Sequence, residues 1–347
     1  MSCLYRKPHP IQLQHKGGTI MKRKIFGDLF WVCFLITLIS INTSSWAAEK
    51  KYPSGPIDMF CGYVPGGPND LLTRALAKGF EKFLGVPVVP GNKPGGGGIV
   101  ATAALANSRS DGHTLAVLVD TAMLTAIVLG QATYSLEDLR VVGQSATFFN
   151  TFTISADSEW KTFQQFLDYT KKNPGVKFGH PGLGSTIYLR TENFNKYGNM
   201  RMVGVPFKGD TEIVAAVLGK HVPAGVSTLT NFKPHVDAGK LRILMCFEPP
   251  TLMGLDPNIP TVESIFGKDV GDIDVRVSVV APAKTPEEIV KILEQTLEKV
   301  VKDPGFVSTA KRIYLVPSFV DGETVEKQLS DKMAKIKAIL KTVGMTK

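Results

Sequence analysis

The sequence predicts an α/β protein of two lobes, each a sheet covered by helices, with the chain crossing between lobes more than once. Three observations lead there. Short apolar runs alternate with stretches of helical periodicity along most of the 347 residues, the order that builds sheets flanked by helices. Glycine-rich turns recur where an apolar run gives way to a helical pattern: Pro65-Gly66-Gly67-Pro68-Asn69-Asp70, Gly95-Gly96-Gly97-Gly98, Gly182-Leu183-Gly184-Ser185 and Pro206-Phe207-Lys208-Gly209. The C-terminal segment has no evident sheet of its own and is expected to return to the first lobe.

The elements follow in order. Residues 1–47 read as a leader. Lys22-Arg23-Lys24 is a positive n-region, Phe30 to Ile41 an apolar run too short to span a bilayer comfortably, and Ser45-Trp46-Ala47 a small-x-small cleavage site. Met21 is the expected start and Ala48 the expected mature N-terminus. Cys33 lies inside the apolar run and not at the cleavage point, which argues against a lipoprotein. The competing reading is an uncleaved anchor; either way the globular part leaves the cytoplasm.

In the first lobe, Ile57–Cys61 reads as a buried strand and Asn69 to Leu84 as a helix with Leu72, Leu76, Phe80 and Phe83 on one face. Val86–Val89, Thr114–Val119 and Arg140–Gln144 are further strands, and Ile99 to Ala106 and Met123 to Leu129 are helices. This βαβα order predicts a parallel sheet. A second unit starts near Phe148, with strands at Phe149–Ile154, Val176–Gly179, Met202–Val205, Val222–Val226 and Leu241–Phe247. Helices at Thr162 to Lys172, Ser185 to Tyr197, Asp210 to Leu218 and Asn231 to Ala238 separate them. Residues 249–275 are rich in Pro, Gly and Asp and read as a loop with a short element. Asp274–Ala281 is a strand. Thr285 to Val301 is an amphipathic helix with Thr285 and Glu288 as a capping box; Asp303-Pro304 breaks it, and Gly322 to Lys341 is the last helix. The first lobe is therefore assigned to 48–147 plus 275–347, and the second to 148–274.

The formal charge of +9 overstates the basic character of the folded part, because outside the leader 34 Lys and Arg face 30 Asp and Glu. No dense basic run with interleaved aromatics appears there, which argues against a nucleic-acid partner. Two cysteines remain after processing, Cys61 and Cys246, both in apolar runs and expected as buried thiols.

Nucleotide and catalytic readings fare poorly. Gly95-Gly96-Gly97-Gly98 lacks the third glycine of a dinucleotide fingerprint, and Gly179 to Thr186 has Ser where a P-loop needs Lys. Ser185 is a conceivable nucleophile with His180 or His221 as base, but Gly184-Ser185-Thr186 is not G-x-S-x-G. A Ser after a glycine turn suits a helix N-cap. The histidines are scattered without metal-ligand spacing. No cofactor, metal or catalytic residue is therefore expected.

A strand–glycine turn–helix junction exposes unpaired N–H groups at a positive helix end, a site for an anion. The residue types around these junctions suit a carboxylate. Gly66 and Gly67 let backbone approach a ligand. Asn69 and Asp70 cap the next helix or bond a ligand amine or hydroxyl; Asp70 equally suits an inward cap holding its own loop. Thr121, Ser185 and Thr228 offer hydroxyls after strands. Lys208 offers a cation, or a solvated loop charge.

These residues, in this order, resemble the extracytoplasmic solute receptors of the tripartite tricarboxylate transporter system, the Bug-type receptors. The likeness begins at Tyr52-Pro53-Ser54-Gly55-Pro56-Ile57. It continues through Val64-Pro65-Gly66-Gly67-Pro68-Asn69-Asp70, Asn92-Lys93-Pro94-Gly95-Gly96-Gly97-Gly98 and Asp111-Gly112-His113-Thr114-Leu115. Gly182-Leu183-Gly184-Ser185, Val205-Pro206-Phe207-Lys208-Gly209 and Ala281-Pro282-Ala283-Lys284-Thr285-Pro286 complete it. The chain departs from the pattern at Asn69, at His180-Pro181 and at Val226-Ser227-Thr228, which lacks the Asp common at that strand's end. The resemblance implies a type II periplasmic-binding-protein fold with a ligand cleft between two lobes. It implies a monomeric periplasmic receptor that closes on a small organic acid and delivers it to membrane permease subunits. The ligand-binding set it implies is Val64, Pro65, Gly66, Gly67, Asn69, Asp70, Thr121, Gly182, Gly184, Ser185, Phe207, Lys208, Gly209 and Thr228. A secreted enzyme using Ser185 or a cleft His, and a ligand sensor for a signalling partner, are the alternatives.

Overall fold

The computed structural model describes residues 51–345 apart from 183, 184, 268, 269, 271, 272 and 274. The leader and cleavage site expected in 1–47 lie outside the described residues.

The first lobe opens with β1 (Ile57–Cys61), α1 (Pro68–Leu84), β2 (Val88–Asn92), α2 (Ile99–Ala106), β3 (Thr114–Val119), α3 (Asp120–Val128) and β4 (Leu139–Phe148). Helix α1 has Pro68 in its first turn, where the missing N–H costs nothing, and stops at Gly85. It buries Leu72, Leu76 and Phe80, a stripe at helical spacing, against the sheet. After Phe149 the second lobe runs through β5 (Asn150–Ser155), α4 (Phe163–Lys172), β6 (Lys177–His180), α5 (Thr186–Tyr197) and β7 (Val203–Pro206). It continues with α6 (Asp210–Leu218), β8 (Ala224–Thr228), α7 (Leu229–Asp237), β9 (Leu241–Cys246) and α8 (Val262–Phe266). The chain then returns with β10 (Arg276–Pro282), α9 (Glu287–Lys302), α10 (Pro304–Arg312), β11 (Leu315–Asp321) and α11 (Gly322–Thr342).

The strands form a six-stranded sheet, order β11-β4-β10-β3-β1-β2, and a five-stranded sheet, order β7-β6-β8-β5-β9. Both are mixed, where the strand–helix alternation alone predicts parallel sheets. Strands β1, β2 and β3 are parallel, as are β6, β7 and β8. Strands β10 and β11 run antiparallel to β4, and β5 runs antiparallel to β8 and β9. The cause is the crossing: β4 passes into β5 through Phe149 alone, and β10 comes back from the other lobe, so neither step has the crossover helix a parallel pair requires. At the crossing, Phe148 donates its N–H to Val275 O at 3.1 Å and Phe247 donates to Asn150 O at 3.0 Å. The two connecting segments therefore run side by side. A buried ion pair sits beside them: Arg190 donates to Glu248 Oε1 at 2.6 Å, and the other carboxylate oxygen accepts the Asn150 N–H at 2.7 Å.

Two elements escape a sequence reading. Asp303-Pro304 ends α9 but also starts α10, because the Asp303 carboxylate accepts N–H bonds from Gly305 and Phe306. Strand β11 carries Pro317 and lies at the sheet edge, where proline is tolerated. The Thr285–Glu288 capping box does not form; α9 begins at Glu287, and Thr285 donates its hydroxyl to Pro282 O at 2.7 Å.

Helix α11 ties the lobes together. Its Val325, Leu329, Ile336 and Leu340 join one apolar cluster with Leu118 and Leu124 of the first lobe and Phe152, Phe178 and Phe194 of the second. It packs on α3 and β4 on one side and on α5 on the other.

Candidate functional site

Strands β3 and β8 run directly into helices, while short loops join β1, β6 and β7 to theirs, and the expected site residues lie on these five junctions. At the first, Val64, Pro65 and Gly66 are exposed, and Gly67 and Asn69 are half-buried. Asp70 is buried and points back into its own loop. Its Oδ2 accepts the Gly66 N–H at 2.9 Å and Arg74 Nε at 3.0 Å, while Oδ1 accepts Asn92 Nδ2 at 2.9 Å. Asn92 also donates to Tyr63 O at 3.0 Å. Burial pushes the Asp70 carboxyl up, but the bonds from Arg74, Gly66 and Asn92 outweigh it and hold it below the usual carboxylate value. Both Asp70 oxygens are thus engaged, and its structural place is as the pin of the 63–67 turn. Asn69 Oδ1 is buried without a hydrogen-bond partner.

This turn rests on the second glycine loop. A Cβ on Gly62 would stand 2.8 Å from Gly98 Cα, so the two backbones touch. Gly95 to Gly98 all have positive φ, a path closed to side-chain-bearing residues. Tyr63 donates its hydroxyl to Gly97 O at 3.1 Å. Burial, foremost, pushes the Tyr63 phenol well above its ordinary value.

At the end of β3, Thr121 is fully buried, and its hydroxyl hydrogen-bonds the hydroxyl of Thr186, the first residue of α5. This contact joins the start of a first-lobe helix to the start of a second-lobe helix. Asp120 Oδ1 accepts the N–H groups of Thr121 at 2.7 Å and Arg276 at 3.2 Å, and Oδ2 pairs with Lys332 of α11 at 2.5 Å. The same carboxylate therefore fixes the start of α3, the returning strand and the helix that bridges the lobes.

In the second lobe, Gly182 is half-buried, and Leu183 and Gly184 lie outside the described residues. Ser185 occupies the N-cap position of α5, but its hydroxyl donates to Gly182 O at 2.8 Å and accepts no N–H from the helix. His180 is completely buried, its ring stacked 4.2 Å from Tyr188, and neither ring nitrogen has a hydrogen-bond partner. A Ser185–His180 base pair for nucleophilic chemistry is not formed. Phe207 donates its N–H to His180 O at 2.9 Å and lays its ring against Gly179. Lys208 is exposed, and its N–H bonds Glu212 Oε2 at 3.1 Å. Gly209 is extended, with φ −175°. Thr228 Oγ1 accepts Asn231 Nδ2 at 2.7 Å.

The structure thus brings Thr121 to the second lobe through Thr186, and it seats Gly62 and Tyr63, just ahead of Val64 to Asn69, on the Gly95–Gly98 loop. Lys208 makes no side-chain bond among the described residues. Sequence reasoning missed Tyr63, Thr186 and Asp210. Asp210 opens α6, where an acid ordinarily complements the helix dipole; instead the Ser227 and Asn231 side chains hydrogen-bond its carboxyl. Burial, the larger influence, nonetheless lifts it above the usual carboxylate value.

Cys61 and Cys246 are free, buried thiols. Among the described residues no group of three His, Cys, Asp or Glu side chains could hold a metal ion.

The tripartite tricarboxylate transporter family receptor model matches residues 72–345. The UPF0065 protein in the gbd 5′ region of Cupriavidus necator is 29% identical over 305 residues, 87% of this chain and 91% of its own length. Protein BugT of Bordetella pertussis is 26% identical over 313 residues, 88% of this chain and 95% of BugT. A TctC solute-binding protein from Polaromonas superposes with a TM-score of 0.72 at 25% identity, covering 84% of this chain and 99% of that one. The likeness spans both sheets and the C-terminal return, and the chain belongs to the tripartite tricarboxylate transporter receptor family, a family of periplasmic solute-binding proteins and not of enzymes.

Proposed function

We propose that this receptor captures a small organic acid between its lobes, closes over it, and presents the closed form to the membrane permease subunits of a tripartite transporter. The observation that carries the reading is the Thr121–Thr186 contact. It places the starts of α3 and α5, from opposite lobes, against each other. Helix starts carry N–H groups without intrahelical partners and a partial positive charge; the Thr121 N–H is taken by Asp120, so on this reading a carboxylate at the junction meets the remaining donors of α3 and those of α5. At the start of α1 the Gly66 N–H is already held by Asp70, and the Gly67 N–H is the main-chain donor the turn adds.

On this reading Val64, Pro65, Gly66, Gly67 and Asn69 form the first-lobe wall with Thr121. Gly182, Gly184, Ser185, Phe207, Gly209 and Thr228 form the second, with Lys208 at the rim. Asp70 acts through the turn it pins. The lobes comprise 48–147 with 275–347, and 148–274, and the leader in 1–47 exports the chain to the periplasm, where it acts as a monomer.

A thermal-shift screen of the chain from Ala48 against mono-, di- and tricarboxylates tests this. A ligand that binds only the folded state stabilises it by about 2.7 kcal/mol at a hundredfold excess over Kd. A raised melting temperature with one acid, recovered unchanged, supports the reading; no shift with any acid, or conversion of the acid, overturns it.

A further inference from the structure

The start of α3 already holds a carboxylate of its own. Asp120 is the first residue of that helix, directly before Thr121, and is 2% exposed. Its Oδ1 accepts the Thr121 N–H at 2.7 Å, one of the groups that a helix start would otherwise turn to an incoming anion. The same oxygen accepts the Arg276 N–H of β10 at 3.2 Å, so the carboxylate is fixed in place. A negative charge held here, against the backbone of the residue whose hydroxyl meets Thr186, would repel any acid brought to that contact. Burial keeps away the water and salt that would screen it.

Lys332 supplies the opposite charge. Its Nζ lies 2.5 Å from Asp120 Oδ2, and the residue is 6% exposed. It stands on α11, which packs on α3. Leu329 and Ile336, on the same helix face, join the apolar cluster to which both lobes contribute. The lysine is therefore held by packing on both sides along its helix and reaches the α3 start from the element that bridges the lobes. The two ends of the chain of contacts are clear: Lys332 to Asp120, Asp120 to Thr121, and Thr121 to Thr186.

We propose that Lys332 is a positioning residue for ligand binding: by balancing the charge of Asp120 at the start of α3, it makes the Thr121–Thr186 junction acceptable to an anionic ligand. This inference rests on the receptor reading above. Lys332 touches no ligand and acts through Asp120. Asp120 holds the backbone of the junction, and Lys332 removes the repulsion that this hold would otherwise bring.

Two single variants test this because their effects should have opposite signs. Lys332→Met keeps an unbranched apolar stem and leaves the Asp120 carboxylate unbalanced. Asp120→Asn keeps Oδ1 as acceptor for the Thr121 and Arg276 N–H groups and leaves the Lys332 ammonium unbalanced. Binding of succinate, glutarate, citrate and benzoate to the chain from Ala48 is measured by calorimetry, and folding is checked by circular dichroism. Lys332→Met is expected to weaken every acid that the wild type binds by roughly tenfold, the scale of one unit charge several ångströms away in a partly screened site. Asp120→Asn is expected to bind the same acids at least as tightly as the wild type, and the double variant to recover most of what Lys332→Met loses. A pair that only braces the fold would weaken binding in both single variants, since each leaves a buried charge unmatched. Weaker binding by Asp120→Asn, or unchanged affinity in Lys332→Met, overturns the inference. Should Lys332→Met fail to fold, the sign of the Asp120→Asn change decides alone. A wild type that binds none of the four acids contradicts the receptor reading itself and the inference with it.

Discussion

The hydroxyl of Thr121, on the first turn after β3, hydrogen-bonds the hydroxyl of Thr186, on the first turn after β6, and so links the two lobes at their helix starts. Thr121 is fully buried and Thr186 nearly so. The bond is local to the place where a ligand would bridge the lobes, and it gives closure a specific polar contact beyond the apolar packing of α11.

Replacing Thr121 or Thr186 by valine keeps the shape and removes the bond. Each single variant is expected to fold and to weaken ligand binding by roughly threefold to tenfold, from a net hydrogen-bond contribution of about 0.5–1.5 kcal/mol. The double variant is expected to lose little more than either single one, because both act on one contact. Full additivity in calorimetric titrations would show that the two hydroxyls act separately.

Asp70 holds the 63–67 turn through Gly66, Arg74 and Asn92. Asp70→Ala is expected to destabilise the fold by about 1.5–3 kcal/mol, the scale for a buried charged acceptor, and to weaken binding by loosening the turn. The pH dependence has a definite sign. The folded carboxyl is held below its unfolded value, so its contribution is present above the unfolded value, near pH 4, and lost as pH falls through the folded one. Denaturant melts of wild type and Asp70→Asn below pH 5 check this: the wild type should lose more stability than the variant as the pH is lowered.

His180 has the opposite chemistry and a higher pH window. Burial lowers its pKa from 6.5 to about 4. The folded state therefore prefers the neutral ring. Stability associated with this is complete above pH 6.5 and falls as pH drops toward 4, at up to about 1.4 kcal/mol per pH unit. His180→Leu should flatten the fall of melting temperature between those pH values. An unchanged pH profile would remove His180 from the acid response.

Gly62 faces Gly98 backbone to backbone, with no flexible side chain to yield. Gly62→Ala forces the two glycine loops apart and is expected to weaken ligand binding by tenfold or more, while far-ultraviolet circular dichroism stays native. Tight binding by Gly62→Ala would show that the loop pair does not shape the site.

Much of this was legible in the chain. The glycine turns at Gly66 and Gly95–Gly98 mark strand-to-helix junctions because their positive φ favours glycine, and the stripe of Leu72, Leu76 and Phe80 fixes α1 against its sheet. What was hidden depends on distant partners. Pro304 reads equally as a helix breaker and as a first helical residue; the Asp303 cap decides it. Asp70 could face ligand or loop, and its bonds to Gly66, Arg74 and the distant Asn92, 22 residues away, turn it to the loop. Thr186 follows a glycine turn like any helix residue, and nothing local connects it to Thr121, 65 residues earlier. Asp210 looks like a dipole-complementing acid until Ser227 and Asn231 are seen around it.

The central claim is that the lobes close on a small organic acid without changing it. Small-angle X-ray scattering of the chain from Ala48, with and without the acid that gives the largest thermal shift, tests it most directly. The account predicts a smaller radius of gyration with the acid present and quantitative recovery of that acid after denaturation. An unchanged radius with saturating acid, or recovery of a different molecule, would contradict it.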